Sequence, residues 1–77
     1  MDIKVLGTGC ANCKNTIALI EQVAKDKSVA VTLSKVEDMK DIISYGVMRT
    51  PGVVVNGQVV HAGGVPSRDK IEQWFTA

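Results

Sequence analysis

The sequence predicts an α/β protein, a four-stranded mixed sheet flanked by helices, in the order β-α-β-α-β-β-α. Three observations carry this expectation. Between Ala11 and about Lys25 apolar residues recur at helical spacing, and β-rich runs lie on both sides, which makes a β-α-β unit with parallel strands and a right-handed crossover. Two β-rich runs near the C-terminal third are separated only by Asn56-Gly57, the strongest short hairpin signal, so their strands are antiparallel. The chain has 77 residues, the length of one small domain spanning 1–77.

Each element has its own signature. Ile3-Lys4-Val5-Leu6 reads as the first strand and Gly7-Thr8-Gly9 as a loop. The first helix places Cys13, Ile17, Ile20, Val23 and Ala24 at helical spacing, with Lys25 and Lys27 where a helix C-terminus favours cations. Val29 to Leu33 alternates and reads as the second strand. Glu37 to Tyr45 reads as a short helix with Val36, Met39, Ile42 and Ile43 on one side, and Gly46 just past its end. Val53-Val54-Val55 lacks alternation, as a strand buried on both faces does. Gln58-Val59-Val60 completes the hairpin, and Gly63-Gly64 ends it. Ser67 can cap the last helix, with Asp69 in its first turn and Ile71, Trp74 and Phe75 on one face.

Composition excludes several function classes. Hydrophobic residues make 45% and charged residues 22%, which is ordinary for a globular chain. The net charge of +1 comes from scattered basic residues, and there is one each of Trp, Tyr and Phe, which argues against a nucleic-acid partner. No apolar stretch is long enough to span a bilayer. Met1-Asp2-Ile3-Lys4 runs straight into the strand pattern without a basic segment and an apolar one, so no signal peptide and a cytoplasmic location are expected.

The chemistry rests on Cys10-Ala11-Asn12-Cys13, which holds both cysteines of the chain. Two thiols at this spacing can close into a disulfide or share a soft metal. At a helix start, free N–H groups and the positive end of the helix dipole stabilise a negative sulfur, and the thiolate is the reactive form. In a reducing compartment a lone CxxC points to catalysis or metal binding rather than to a structural staple. Pro51 by itself reads as a trans turn proline, since most X-Pro bonds are trans.

The element order, the CxxC after the first strand, Thr50-Pro51-Gly52 before the hairpin and the glycine pair after it together resemble the thioredoxin fold. Gly7-Thr8-Gly9-Cys10-Ala11-Asn12-Cys13 with Thr50-Pro51-Gly52 is similar to the small thioredoxin- or glutaredoxin-like group called redox-active disulfide proteins. The resemblance covers nearly the whole chain and implies a minimal thioredoxin-like fold. It implies that Cys10 is the nucleophile, Cys13 the buried resolving thiol, and Pro51 a cis-proline facing the disulfide. Thr50 would pair through its backbone with an extended substrate segment, and Gly63 and Gly64 would let a partner approach closely. The implied function is thiol–disulfide exchange on a disulfide-containing protein substrate. An upstream reductase or a low-molecular-weight thiol would be the electron donor. The resemblance implies a monomer with no cofactor beyond the Cys10–Cys13 disulfide, no resident metal, and neither nucleic acid nor membrane as partner.

The chain also departs from the thioredoxin pattern. Ala11-Asn12 replaces Gly-Pro between the cysteines, and Gly9 replaces the tryptophan before the first one. Lys4 stands where thioredoxins carry a buried acid, and alternation turns it away from Ile3 and Val5. The alternative function is a soft-metal module for Cu(I) or zinc, because heavy-metal-associated domains also start a helix with CxxC. Those domains run β-α-β-β-α-β and carry Met two residues before the first cysteine, where this chain has Thr8. A third reading is a non-catalytic scaffold or electron-transfer partner of a larger system. His61 reads as a strand-surface or half-buried histidine rather than a ligand. Met39 and Met48 read as core or rim filler, and Met48 and Arg49 could equally line a substrate groove. Trp74 and Phe75 read as anchors of the last helix.

Overall fold

A computed structural model describes residues 1–8 and 11–76. The elements are β1 (Asp2–Leu6), α1 (Ala11–Asp26), β2 (Thr32–Val36), α2 (Met39–Ser44), β3 (Gly52–Val55), β4 (Gln58–Ala62) and α3 (Arg68–Thr76). The expected order is therefore observed. The sheet order is β2-β1-β3-β4, with β1 parallel to β2, and β3 antiparallel to both β1 and β4. No helix of the described residues is long and apolar enough to cross a membrane.

The hairpin forms where Asn56-Gly57 places it, with positive φ at both turn residues (49° and 86°), the geometry of a type I′ turn. β4 runs two residues beyond the expected Val60. Its pairing with β3 jumps from Val53↔His61 to Val54↔Val59, so Val60 is the extra residue of a bulge. Ser67 caps α3 as expected, its Oγ accepting from the Lys70 N–H at 3.2 Å.

The second strand corrects the sequence expectation: it spans Thr32–Val36, three residues later than Val29–Leu33. The cause lies at the end of α1. Ser28 adopts φ 55°, its N–H bonds to Lys25 O (3.2 Å), and the Val29 N–H bonds to Ala24 O (2.9 Å). This is a Schellman-type helix end, with serine in the left-handed position that glycine usually fills. Val29 belongs to that motif and not to the sheet. Pairing begins only where Thr32 N–H reaches Met1 O (2.8 Å) and Thr32 comes opposite Asp2.

The short helix is a second correction. α2 is six residues long and is capped by Asp38, whose side chain accepts from the Lys40 N–H at 2.8 Å. Gly46 lies just past its end as expected, its N–H bonding to Ile43 O. Of the four apolar residues expected on one side, Val36 belongs to β2 and is half-buried, only Ile42 is buried, and Met39 and Ile43 are 55% and 66% exposed. A helix of fewer than two turns offers one position to the sheet, and its neighbours at i−3 and i+1 swing away.

Two apolar clusters cover the two faces of the sheet. Ile3, Val5 and Val53 meet Ile20 and Val23 of α1 and Ile71 of α3, flanked by Trp74 and Phe75 among others. Leu6 and Val54 meet Ile42 and Val47, flanked by Val36 and Tyr45. Val53 and Val54 thus bury opposite faces, as the unbroken apolar run of β3 predicts. Lys4 pairs with Val54 and lies on the α2 side, its Nζ donating to Tyr45 Oη at 3.2 Å and lying 5.9 Å from the ring centroid. That hydrogen bond, ahead of the charge interactions with Tyr45 and Asp2, raises the ammonium's affinity for its proton above the ordinary lysine value.

Candidate active site

The site lies where β1 ends and α1 begins. Gly7 follows β1 directly and is clipped to the end of β2 by its N–H to Val36 O, 2.9 Å. A Cβ built on Gly7 would collide with Cys13 Sγ and lie 3.3 Å from Cys13 Cβ and 3.8 Å from Thr50 Cβ. Gly7 is therefore the floor on which Cys13 rests, with Thr50 against the same spot. Only a residue without a side chain lets the sulfur come this close to the backbone.

Cys13 is the third residue of α1 and is 4% exposed. The first turn of α1 holds no acidic residue of its own. Thr16, wholly buried one turn on, donates from Oγ1 to Asn12 O at 2.7 Å and so ties the first turn to the second. Cys10, the residue expected to act as nucleophile, lies outside the described residues.

The Thr50–Pro51 peptide bond is cis. Pro51 is buried, and its carbonyl accepts from the Gly63 N–H at 3.0 Å, which joins the loop before β3 to the loop after β4. Gly63 (φ 84°) backs onto Arg49, whose Cβ and Cδ would both lie 3.2 Å from an added Cβ. Gly64 (φ 70°) faces open space. Of the two glycines expected to admit a partner, one is thus closed off on its Cβ side by the chain's own Arg49 and the other is open. Met48, at the entrance to this loop, is 94% exposed, so it is no core filler.

His61 is half-buried on β4, with Nε2 2.8 Å from Gly64 O and Nδ1 2.9 Å from Lys70 Nζ. A carbonyl only accepts and an ammonium only donates, so Nε2 carries the proton and Nδ1 accepts. Both ring nitrogens are engaged within the chain. Among the described residues no group of three or more His, Cys, Asp or Glu side chains could hold a metal ion.

A cavity of about 180 Å³ opens beside Cys13. Val5, Gly7 and Ile17 form its apolar wall, and Lys14, Lys35 and Glu37 bring charge to it. The sequence reading singled out neither Lys35 nor Glu37. The late start of β2 puts Lys35 inside the strand and Glu37 just past its end, beside the point where Val36 holds Gly7. The signal that could have found them is the helix end at Ser28, which moves the strand register.

The four-stranded mixed sheet, a helix opened by a CxxC sequence and a cis X-Pro bond beside the strand end define a protein of the thioredoxin-like class. The family model described as "Thioredoxin domain" matches residues 1–76, and the chain belongs to that family. It is 30% identical over 73 residues to a thioredoxin of Methanothermobacter thermautotrophicus, covering 95% of each chain. It is also 30% identical over 71 residues to a thioredoxin of Methanocaldococcus jannaschii, covering 92% of this chain and 81% of that one.

Proposed function

We propose that this protein is a thiol–disulfide oxidoreductase of the electron-carrier type that reduces protein disulfides. The observation that carries the reading is Cys13, buried in the first turn of α1 on the bare backbone of Gly7, with Thr50 at the same place. Cys10 thiolate attacks one sulfur of a substrate disulfide, forming a mixed disulfide and releasing the first substrate thiolate. Cys13 thiolate, one helical turn further on, attacks Cys10 Sγ, closes the Cys10–Cys13 bond and releases the second substrate thiolate. Two electrons pass from the protein dithiol to the substrate. The substrate segment lies along Thr50 and Pro51, with Gly64 leaving room beside it and Gly63 shaping the neighbouring loop.

No cofactor is needed beyond the Cys10–Cys13 couple. The oxidised form is returned to the dithiol by an upstream reductase or a low-molecular-weight thiol in a reducing, cytoplasmic setting. The protein acts as a single domain and a monomer, without nucleic acid or membrane. Family membership and the two archaeal relatives named thioredoxin support the redox reading. The test is catalytic reduction of insulin disulfides by dithiothreitol. Turnover is expected with the native chain, none with Cys10→Ser, and a stable mixed disulfide with Cys13→Ser. An unmodified dithiol protein that leaves insulin reduction at the uncatalysed rate would refute the assignment.

A further inference from the structure

The chain's single histidine is engaged at both ring nitrogens, and the exchange chemistry uses neither. A bulge puts it in place. In an unbroken β3–β4 ladder Val60 would stand opposite Val53, and His61 opposite Gly52. With Val60 as the extra residue, His61 comes opposite Val53 instead. The Cα of Gly52 points at Val47 in the α2 cluster, whereas Val53 packs among residues of α1 and α3. The bulge therefore turns the imidazole from the α2 face of the sheet to the α3 face. There Lys70, in the first turn of α3, donates to Nδ1 at 2.9 Å, and Nε2–H donates to Gly64 O at 2.8 Å.

These bonds bear on the two glycines beside the cis-proline. Gly63 and Gly64 both have positive φ (84° and 70°), and glycine has little preference of its own between the two signs. The loop is therefore placed by its bonds. Gly63 N–H holds it to Pro51 O at 3.0 Å, and the imidazole holds the Gly64 carbonyl. Gly64 is the glycine with open space on its Cβ side, where the proposed substrate segment passes. Lys70 decides that the imidazole can donate. An ammonium only donates, so Nδ1 stays bare and the proton sits on Nε2.

We propose that His61 is a positioning residue for the substrate, holding the Gly64 carbonyl beside the Thr50–Pro51 segment, with Lys70 fixing its tautomer. The proposal rests on the exchange function proposed above and deepens it: the loop recognises the backbone of an extended polypeptide, not the disulfide. His61 acts through Gly64 and has no part in the bond exchange. Its loss therefore weakens reaction with an extended peptide and spares reaction with a small disulfide.

The test compares two mixed disulfides of 5-thio-2-nitrobenzoate, one with a cysteine inside an extended peptide and one with N-acetylcysteine amide. Cys10 attacks the cysteine sulfur of the probe, and the nitrobenzoate thiolate leaves as the weaker base. Cys13 then closes the Cys10–Cys13 bond and frees the probe's cysteine, so the dithiol gives two electrons to either probe. Stopped flow reads the second-order rate of colour release. The native chain is expected to react faster with the peptide probe. His61→Leu should slow that reaction about three- to tenfold, the worth of one hydrogen bond, and leave the small probe within about twofold. His61→Gln, whose amide keeps a donor and an acceptor, should recover most of the loss. Lys70→Met leaves the imidazole free to change tautomer, so a smaller loss on the peptide probe is expected. Lys70 is exposed, so this variant carries the test if a thermal melt shows His61→Leu to be unfolded. Ring-nitrogen NMR shifts of the single histidine should show Nε2–H in the native chain and a mixture of tautomers in Lys70→Met. Equal slowing of both probes, or of neither, overturns the role of His61, as does a native proton on Nδ1. Equal native rates for the two probes overturn it at the recognition step and leave the exchange function standing. A native chain that reacts with neither probe while both thiols are free refutes the exchange function and this proposal with it.

Discussion

The two faces of the sheet are built to different depths. Among the described residues, the face under α1 and α3 is covered by six buried apolar residues and flanked by eight more. The face under α2 has, among the described residues, four buried ones and two flanking ones, one of them Tyr45, which also receives the ammonium of Lys4. Beside that thinner face Met39, Ile43 and Met48 stay in solvent. The thick side contains the helix that bears Cys13. The thin side leads into the Met48–Pro51 loop. Apolar burial is thus concentrated on the side that carries Cys13, whereas Met48 at the start of the loop before β3 stays 94% exposed.

The comparison is broken or sharpened first by cavity mutants. Ile20→Ala on the thick face is expected to cost about 2–5 kcal/mol in urea denaturation, with an unchanged slope. Ile42→Ala should fall at the low end of that range, because a six-residue helix open to solvent on its outer side can collapse into the gap. An equal or larger loss at Ile42 would abolish the distinction between the faces.

Gly7→Ala probes the junction of the two faces. The added methyl meets a sulfur and backbone-held neighbours, so a loss of about 1–3 kcal/mol is expected in the reduced protein. Displacing Cys13 should also slow closure of the Cys10–Cys13 bond, read by stopped flow as release of the second coloured thiolate from 5,5′-dithiobis(2-nitrobenzoate). A stable variant with native closure kinetics would mean that Cys13 does not depend on its glycine floor.

The smallest expected effect is at the rim of the thick face. Arg68 of α3 bonds Asp26 of α1 (2.9 Å) and Glu72 (2.8 Å), and Glu72 also meets Lys27 at 3.3 Å. The hydrogen bond from Arg68, reinforced by Gln22 at Asp26 and by Lys27 at Glu72, holds both carboxyl groups below the ordinary carboxylate range. A carboxylate whose proton affinity is depressed by folding adds stability above its unfolded pKa. That contribution is lost as pH falls through the folded value. The melting temperature should therefore decline slightly on acidification below about pH 4, less so in high salt. In Arg68→Ala this part of the decline should be reduced. A melting temperature that rose over the same range would contradict the sign.

Much of the fold is legible in the chain because its signals are local. Helical spacing from Cys13 to Ala24, Asn56-Gly57, Gly46 and Ser67 each act within a few residues, and each element stands where they put it. The same holds for Lys4, whose turn away from Ile3 and Val5 follows from strand alternation alone. The site is legible in part: Cys13, Thr50 and Pro51 can be named from the sequence, but the convergence of Cys13 and Thr50 on Gly7 cannot.

By itself the sequence determined the order of elements, the faces of β1 and β3, and the chemistry that two cysteines at a helix start can perform. Tertiary structure alone decided the register of β2, the exposure of Met39, Ile43 and Met48, and the arrival of Lys35 and Glu37 beside Cys13. The physical reason is range. Periodicity and turn preference are properties of neighbouring residues, whereas a parallel register is settled by where a helix stops and which backbone groups on another strand then come within reach.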